Sequence, residues 1–311
     1  MVEVLTHSRI AMRQTCPTKE WLWYVERLRP REFSWALSIG TAWHTALEVW
    51  QKGEADEDGA VAAGLATLDW IRPESEEEQY KLDLERARVE VLIRVAIRHF
   101  QQRNLIAVEH QFELPICNPK TGRKSRKFIL SGKIDAIAED ENGVLWIIEN
   151  KTVGTGLETF RETFGLNNQY SLYYYAVSQL YDKPIGGVIV RSIAKTRTEP
   201  KRKGGEIVES WNAYKQRLWE MYEADLDRYL AEDIVIRTPE QIKQFQEELW
   251  METQERLWQA KTGVVRHNLA SCNLYGGCPF KPLCLGVTDA RETLYYTASQ
   301  SHDELTLNET A

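Results

Sequence analysis

The stretch that decides the fold is "WIIENK", residues 146–151, near the middle of the chain. Its apolar beginning is typical of a strand that is covered on both faces. Glu149 and Lys151 follow one residue apart, and strand side chains alternate between faces, so both charges share one face. A half-exposed strand would instead alternate polar and apolar residues. The stretch therefore predicts a buried strand whose end carries a carboxylate beside an ammonium.

The sequence around this stretch predicts a sheet with helices before and after it. Strand-like segments are "LIAVEHQFELPIC" (105–117), "RKFILSGKIDAIAED" (126–140), "GVLWIIENKTV" (143–153) and "GGVIVRSIAK" (186–195). A basic turn joins the first two segments, and "ENG" (141–143), a strong hairpin signal, joins the next two. Helical periodicity predicts helices at 38–53, 76–103, about 159–182, about 208–232 and about 239–261. The predicted fold class is α/β, with a central mixed β-sheet flanked by helices.

The composition fits a chain with a sizeable core, since 43% of its 311 residues are hydrophobic and eleven are Trp. No apolar run approaches the length of a membrane span, and the N-terminus lacks the pattern of a secretion signal. The expected location is therefore cytoplasmic, where five Cys would serve metal binding, catalysis or burial rather than disulfides. A net charge of -7 decides nothing about nucleic acid, because the placement of Lys and Arg matters more than their sum.

A second carboxylate accompanies the charged pair. "GKID", residues 132–135, places Asp135 in an otherwise apolar strand, and the predicted hairpin brings it towards Glu149. Two buried carboxylates repel each other unless a cation lies between them, and hard oxygen ligands suit magnesium or manganese. Lys151 would then orient an attacking water and stabilise the charge that develops on phosphorus, and the Asn150 carbonyl would complete the metal shell. The alternative is a solvated ion pair without a function.

These motifs resemble the PD-(D/E)XK nucleases, specifically the RecB-like branch that includes CRISPR-associated and phage-encoded exonucleases. The family's GxxD motif matches "GKID", its (D/E)xK motif matches "ENK", its QxxxY motif matches Gln169 and Tyr173, and its upstream helical histidine matches His44. The resemblance implies a restriction-endonuclease-like core. It also implies that metal is bound by His44, Asp135, Glu149 and the Asn150 carbonyl.

In the same resemblance Lys151 assists the water, while Gln169 and Tyr173 contact the DNA strand near the scissile phosphate. Two of these assignments have simpler alternatives. A lone helical histidine such as His44 is more often a packing or surface residue than a ligand. The tyrosines near Gln169 could simply pack, since residues four apart share a helix face.

Three cysteines follow the predicted core in "SCNLYGGCPFKPLC", residues 271–284. Cys272, Cys278 and Cys284 need a fourth thiolate for a closed site. The iron-sulfur members of the RecB-like branch have one cysteine before the core and three after it, which implies Cys16 as the fourth ligand. The implied cofactor is a 4Fe–4S cluster that clasps the N- and C-terminal helical segments, and zinc is the alternative. Cys117 is interpreted as a buried small hydrophobic residue.

Four consecutive segments are expected. They are an N-terminal helical segment with Cys16 and His44 (1–104), the nuclease core (105–200), C-terminal helices with the cysteine segment (201–286) and a flexible tail (287–311).

The expected function is metal-dependent DNA exonuclease activity, at single-stranded ends, in recombination, repair, phage replication or CRISPR adaptation. Partners would be DNA and proteins of recombination or CRISPR adaptation, an oligomer is possible, and the cell would be bacterial, or a phage's bacterial host. Candidates for lining the DNA backbone, or for being merely solvated, are Lys120, Arg123, Lys124, Arg126, Lys127, Lys195, Arg197, Lys201, Arg202 and Lys203. One alternative is a catalytically silent DNA-binding or assembly subunit that keeps the fold and cluster. Another is a zinc-stapled helical adaptor.

Overall fold

The structure is a computed structural model that describes residues 2–32, 35–154, 156–274 and 277–306. The chain divides into two units. Unit 1 consists of residues 1–33, 111–133 and 238–311, and unit 2 consists of residues 34–110 and 134–237. Because the chain passes back and forth between them, these units do not coincide with the four consecutive segments expected from the sequence.

Helices and strands alternate along much of the chain. The helices are α1 (His7–Thr15), α2 (Pro17–Glu20), α3 (Trp35–Gln51), α4 (Glu57–Ala66), α5 (Glu76–His99), α6 (Leu157–Arg161), α7 (Asn168–Leu180), α8 (Trp211–Ala224), α9 (Leu226–Tyr229), α10 (Pro239–Thr262), α11 (Lys281–Cys284), α12 (Ala290–Leu294) and α13 (Asp303–Thr306). The strands are β1 (Glu3–Leu5), β2 (Leu28–Pro30), β3 (Leu105–Cys117), β4 (Lys124–Glu139), β5 (Leu145–Val153), β6 (Ile185–Ala194), β7 (Arg202–Lys203), β8 (Glu206–Ile207), β9 (Leu230–Val235) and β10 (Tyr295–Thr297). Among these helices, none combines the length and apolar character that a membrane crossing requires.

The principal sheet is mixed, as the sequence predicted. Its hydrogen-bonded order is β1-β4-β5-β6-β9, and β3 also pairs with β4. Strands β4 and β5 form an antiparallel hairpin, β5 and β6 run parallel, and β9 closes the edge antiparallel to β6. The hairpin turn is closed by a hydrogen bond from the Asp140 N–H to the Val144 carbonyl, and Gly143 adopts a φ of 74°. The "ENG" hairpin and the α/β class are therefore confirmed.

The core of unit 2 lies between the sheet and helices α3, α5 and α8. Helix α5 begins at Ser75, whose side chain accepts a hydrogen bond from the Glu78 N–H, and it has three glutamates in its first turn. Helices α3 and α4 approach closely at Gly64. A Cβ added there would lie 2.6 Å from the Ala42 carbonyl oxygen, so only glycine fits this approach.

Three sequence expectations need correction. The single helix expected at about 159–182 is two helices, α6 and α7, and Asn167 caps the second. The helix expected to reach residue 232 gives way to strand β9, because this segment pairs with the edge of β6.

The third correction concerns the tail expected from residue 287 onwards. Strand β10 pairs with β2, Tyr295 is buried, and Glu304 accepts hydrogen bonds from Thr6 and Tyr24, all within unit 1. The polar composition of this segment suggested disorder. The contacts of Tyr295 and Glu304, together with the pairing of β10, instead give residues 290–306 a defined structure. Residues 307–311 lie outside the described residues.

Candidate active site

The two carboxylates of the hairpin lie side by side. Ala136 pairs with Ile148 across the antiparallel strands, so the neighbouring positions, Asp135 and Glu149, face each other on one side of the sheet. The Asp135 Oδ2 accepts a hydrogen bond of 2.7 Å from the Asn150 N–H. Asp135 is 8% exposed and Glu149 is 1% exposed. The structure thus places both acids in a nearly dry position at the middle of unit 2.

The oxygens of Glu149 are unequally satisfied. Its Oε1 accepts a hydrogen bond of 2.9 Å from the Gln169 amide and forms an ion pair with the Lys151 ammonium. Within the described part of the chain, the buried Oε2 has no hydrogen-bond partner. Burial, with the neighbouring charge of Asp135, raises the pKa of Glu149 to about 7, although Lys151 opposes this. Oε2 is therefore the oxygen at which a positive charge would be most favourable.

Lys151 lies beside Glu149, as the strand periodicity predicted. Burial alone would lower the pKa of Lys151. The negative charges of Glu149 and Asp135 outweigh burial, and the pKa of Lys151 is therefore raised. About 30% of its side chain remains exposed, so the charged ammonium can meet a ligand from solvent.

Helix α7 brings the predicted Gln169 and Tyr173 to the same carboxylate. The Gln169 amide lies 2.9 Å from Glu149 Oε1 and 3.0 Å from the Tyr173 hydroxyl oxygen. Burial, followed by the charges of Glu149 and Asp135, raises the pKa of Tyr173 well above its ordinary value. The two residues therefore hold the orientation of Glu149, and the neutral phenol of Tyr173 keeps its hydrogen.

Helix α3 contributes His44, whose Nδ1 lies 3.6 Å from Asp135 Oδ2. A third residue, Glu109 on β3, joins them, and one ligand atom of each residue lies within 4.8 Å of those of the other two. Sequence reasoning missed Glu109. Its φ of 51° is in the left-handed region, which is uncommon for a residue other than glycine. The acid in the middle of a predicted strand is the one available signal, and its conformation cannot be read from sequence.

These donors fit a divalent cation. The group with ligand atoms within 4.8 Å of one another consists of His44, Glu109 and Asp135, and carboxylate oxygens with an imidazole nitrogen are ligands that magnesium or manganese accepts. The orphaned Glu149 Oε2 is the strongest sign of fit, because a buried carboxylate oxygen without a donor is costly unless a cation compensates it. The structure brings together His44, Asp135, Glu149 and Lys151 as predicted, but their roles stay predictions.

The predicted cluster ligands Cys16, Cys272, Cys278 and Cys284 all lie in unit 1. Burial raises the pKa of the Cys284 thiol, and the charges of Cys278, Cys16 and Cys272 add to the increase. These four thiols are therefore electrostatic neighbours. Cys117, which was interpreted as buried, is instead half-buried, and its Sγ contacts the Pro115 carbonyl.

The two basic loops differ in their exposure. Between residues 118 and 127, all the predicted Lys and Arg side chains are exposed. In the second loop Lys195 is half-buried, whereas Arg197 and the three basic residues at 201–203 are exposed. Arg202 lies over the Tyr80 ring.

A mixed sheet whose central hairpin presents two carboxylates and a lysine is the arrangement that the sequence predicted for a nuclease core. The family model of the PD-(D/E)XK nuclease superfamily matches residues 4–285, and the chain belongs to this superfamily. Its members hydrolyse phosphodiester bonds with divalent metals. No curated protein matches the sequence significantly.

Proposed function

We propose that the protein is a metal-dependent DNA exonuclease of the RecB-like branch, acting at single-stranded ends. The observation that carries this proposal is the buried, unpartnered Oε2 of Glu149 beside Asp135. His44, Asp135, Glu149 and the Asn150 carbonyl would hold the metal, and Glu109 lies close enough to His44 and Asp135 to join them. Such an activity would serve recombination, repair, phage replication or CRISPR adaptation.

A bound magnesium or manganese ion would supply a Lewis acid for the phosphoryl oxygens and a water of lowered pKa. The chain's own residues set the geometry around it. Lys151 keeps its proton, because its pKa is raised, and its ammonium would orient the attacking water and offset negative charge on the phosphoryl group.

Gln169 and Tyr173 would have two roles in this proposal. Their hydrogen bonds fix the Glu149 carboxylate, and pre-oriented groups need no rearrangement when the substrate binds. Their position beside the carboxylate also suits contact with the DNA strand near the scissile phosphate.

Single-stranded ends are the proposed substrate because the chain offers both cations and exposed rings. The basic loops provide exposed charges for a phosphate backbone. Trp70 and Trp258 are each 63% exposed, and bases of a single strand can stack on such rings.

We further propose a 4Fe–4S cluster on Cys16, Cys272, Cys278 and Cys284. The support is that Asn268 contacts two of them in unit 1: its N–H donates to Cys16 Sγ over 3.4 Å, and its carbonyl accepts from Cys272 Sγ over 3.8 Å. The Cys278 N–H also donates to the Cys272 carbonyl over 2.9 Å, which brings these two residues together. Four thiolates would equally accept zinc.

The nuclease proposal is tested with 5′- and 3′-end-labelled single- and double-stranded DNA, incubated with magnesium, with manganese and with EDTA. We expect stepwise shortening of single strands in either metal and none in EDTA. Asp135→Ala and Lys151→Ala should abolish shortening while their circular dichroism spectra match that of the wild type. Undiminished shortening in both variants would overturn the site, and specific DNA binding without cleavage would instead support a silent subunit.

The cluster proposal has a separate readout. Anaerobically purified protein should be brown, with about four iron and four sulfide per chain, and Cys278→Ser should lose the colour. Cys117→Ser is the matched control and should keep it. A colourless protein with stoichiometric zinc would refute iron.

A further inference from the structure

A cavity of about 270 Å³ lies in unit 2 beyond the ends of strands β5 and β6. Its walls come from helices α3, α5 and α8 and from the chain that follows the two strands. Three cationic side chains line it, Arg88, Lys195 and Arg197. The proposed catalytic residues do not line this cavity, so it requires its own explanation.

The cavity lies near the proposed active site. Gly154, on its wall, follows Lys151 by three residues, which corresponds to about 10 Å along a strand. Ile39, also on its wall, precedes His44 by five residues, or about 7.5 Å along a helix. A strand of nucleic acid with a rise of about 3.4 Å per nucleotide covers such a distance in two or three nucleotides.

The charge of the cavity is predominantly positive. Arg88 is paired with Glu85 over 2.8 Å. In the part of the chain that the structure describes, neither Lys195 nor Arg197 forms an ion pair. Burial lowers the pKa of Lys195, and Glu85 offsets this only in part. An anion placed between the two unpaired cations would remove this imbalance.

The walls of the cavity are held in place without a ligand. The Thr198 carbonyl accepts hydrogen bonds from Arg88 Nη2 over 2.9 Å and from the Tyr214 hydroxyl over 2.8 Å. The Lys195 N–H donates to the Val153 carbonyl over 2.7 Å. A Cβ added at Gly154 would meet nothing within 4 Å, so the backbone there is open to a ligand. A preformed cationic cavity of this kind suits a compact anion.

We propose that this cavity is a phosphate subsite that takes a second phosphate of the bound DNA strand, two or three nucleotides from the scissile bond. Lys195 and Arg197 are its anchors, and Arg88 fixes the wall that carries them. The inference rests on the proposed nuclease function and deepens it. The ligand group is a phosphate, either an internal diester or a terminal monoester.

The subsite is tested by binding rather than by cleavage. Fluorescein-labelled single-stranded oligonucleotides are titrated in EDTA and followed by anisotropy. In each of them one phosphate is replaced by an uncharged methylphosphonate. We expect methylphosphonate at one position to weaken binding to the wild-type protein about 10-fold, which is the size of the effect of losing a charged hydrogen bond. A further pair of oligonucleotides, with and without a 5′-phosphate, and a pair differing at the 3′ end test a terminal phosphate.

The same scan is repeated with Lys195→Gln and Arg197→Gln. Each variant should bind the unmodified strand about 10-fold more weakly, and its slope of log K against log salt should be shallower by about 0.7. At the sensitive position, methylphosphonate should weaken binding by each variant less than it weakens binding by the wild type, because one of the two anchors of the phosphate is already lost. Lys183→Gln, which removes an exposed ion pair with Glu139, is the matched control and should behave like the wild type.

The outcomes separate the two proposals. If a variant loses the sensitivity to methylphosphonate at an internal position, the bound group is a diester. If it instead no longer distinguishes oligonucleotides with and without a terminal phosphate, the bound group is a monoester. Either result supports the subsite. An unchanged scan in both variants would overturn it, even if the wild type cleaves DNA. If the protein shows no metal-dependent cleavage, but its sensitivity to methylphosphonate depends on Lys195, the subsite is supported and the nuclease proposal is rejected. Arg197 is exposed, so Arg197→Gln decides the matter if Lys195→Gln does not fold.

Discussion

The hairpin site in unit 2 and the cysteine segment in unit 1 are built in opposite ways. Asp135 and Glu149 lie on paired strands, buried and hydrogen-bonded. Cys278 lies in a turn between short helical pieces, and Cys284, at the end of the four-residue helix α11, is exposed. The sheet therefore positions the proposed ligands Asp135 and Glu149 without a metal, whereas the cysteine segment has little regular structure to position its proposed ligands.

Unit 1 compensates with a small core and a buried ion-pair network. Phe280 packs with Leu22, Leu28 and Tyr295. Glu20 binds Arg9 over 2.6 Å and Arg256 over 2.7 Å, which joins α2 to α10. We infer that a metal would add little to the order of the hairpin site but much to that of the cysteine segment.

The largest effect is expected from Asp135→Ala, which disrupts the hairpin site and leaves the cysteine segment intact. Asp135→Ala should reduce kcat by about 10³-fold or more, because it removes a proposed metal ligand and the acceptor of the Asn150 N–H. Single-turnover digestion of labelled DNA measures this, and iron and sulfide content should remain unchanged. Exposed Asp182→Ala is the control. Parallel loss of iron in Asp135→Ala would contradict the separation of the two regions.

Lys151→Gln should lower kcat by about 10²-fold, since a positioned cation that offsets developing charge typically contributes this much. DNA affinity in EDTA should change less than about 3-fold, because without metal the Lys151 ammonium is already paired with the Glu149 carboxylate. Kinetics and anisotropy together distinguish the two effects. A variant that loses affinity but keeps kcat would make Lys151 a binding residue instead.

The stability of metal-free protein should depend on pH through Glu149. Its pKa is raised from 4.5 to about 7 in the folded state, so folding holds this proton more tightly than the unfolded chain does. The resulting stability is present below about pH 4.5 and is lost as the pH rises through about 7. Urea midpoints should therefore fall over this window, and less so in Glu149→Gln. Magnesium should restore stability at about pH 8, and equal pH slopes in both proteins would contradict the account.

The smallest expected effects concern the residues that hold Glu149. Gln169→Leu should lower kcat about 10-fold, because the carboxylate loses one of its two anchors. Tyr173→Phe removes the hydroxyl that accepts a hydrogen bond from Gln169 and should cost about 1 kcal/mol, or roughly 5-fold in kcat. A reversed order of the two variants would show that the tyrosine acts on the substrate directly.

Much of the hairpin site could be predicted because its signals are local in sequence. Two apolar runs joined by "ENG" determine the pairing, and the pairing alone brings Asp135 to Glu149. Glu109 could not be predicted, since its placement requires a left-handed φ within β3. Strand β9 was missed for a related reason. Its helix-like pattern is overridden by the open edge of β6.

The cysteine segment was harder to predict. Spacing indicated three candidate ligands, but only folding brings Cys16 to Asn268, which also contacts Cys272. The order of the C-terminal residues depends on single contacts, such as buried Tyr295 and the hydrogen bonds of Glu304. The overall composition of the segment is polar and does not reveal these few residues, so it predicted a flexible tail.

Anomalous diffraction from crystals soaked in manganese tests the central claim most directly. We predict an anomalous peak from a manganese ion about 2.1 Å from Glu149 Oε2 and from an Asp135 oxygen, with His44 adjacent. Crystals of Asp135→Ala should show no such peak. A protein that cleaves DNA in manganese, but whose manganese lies away from both carboxylates, would contradict the account.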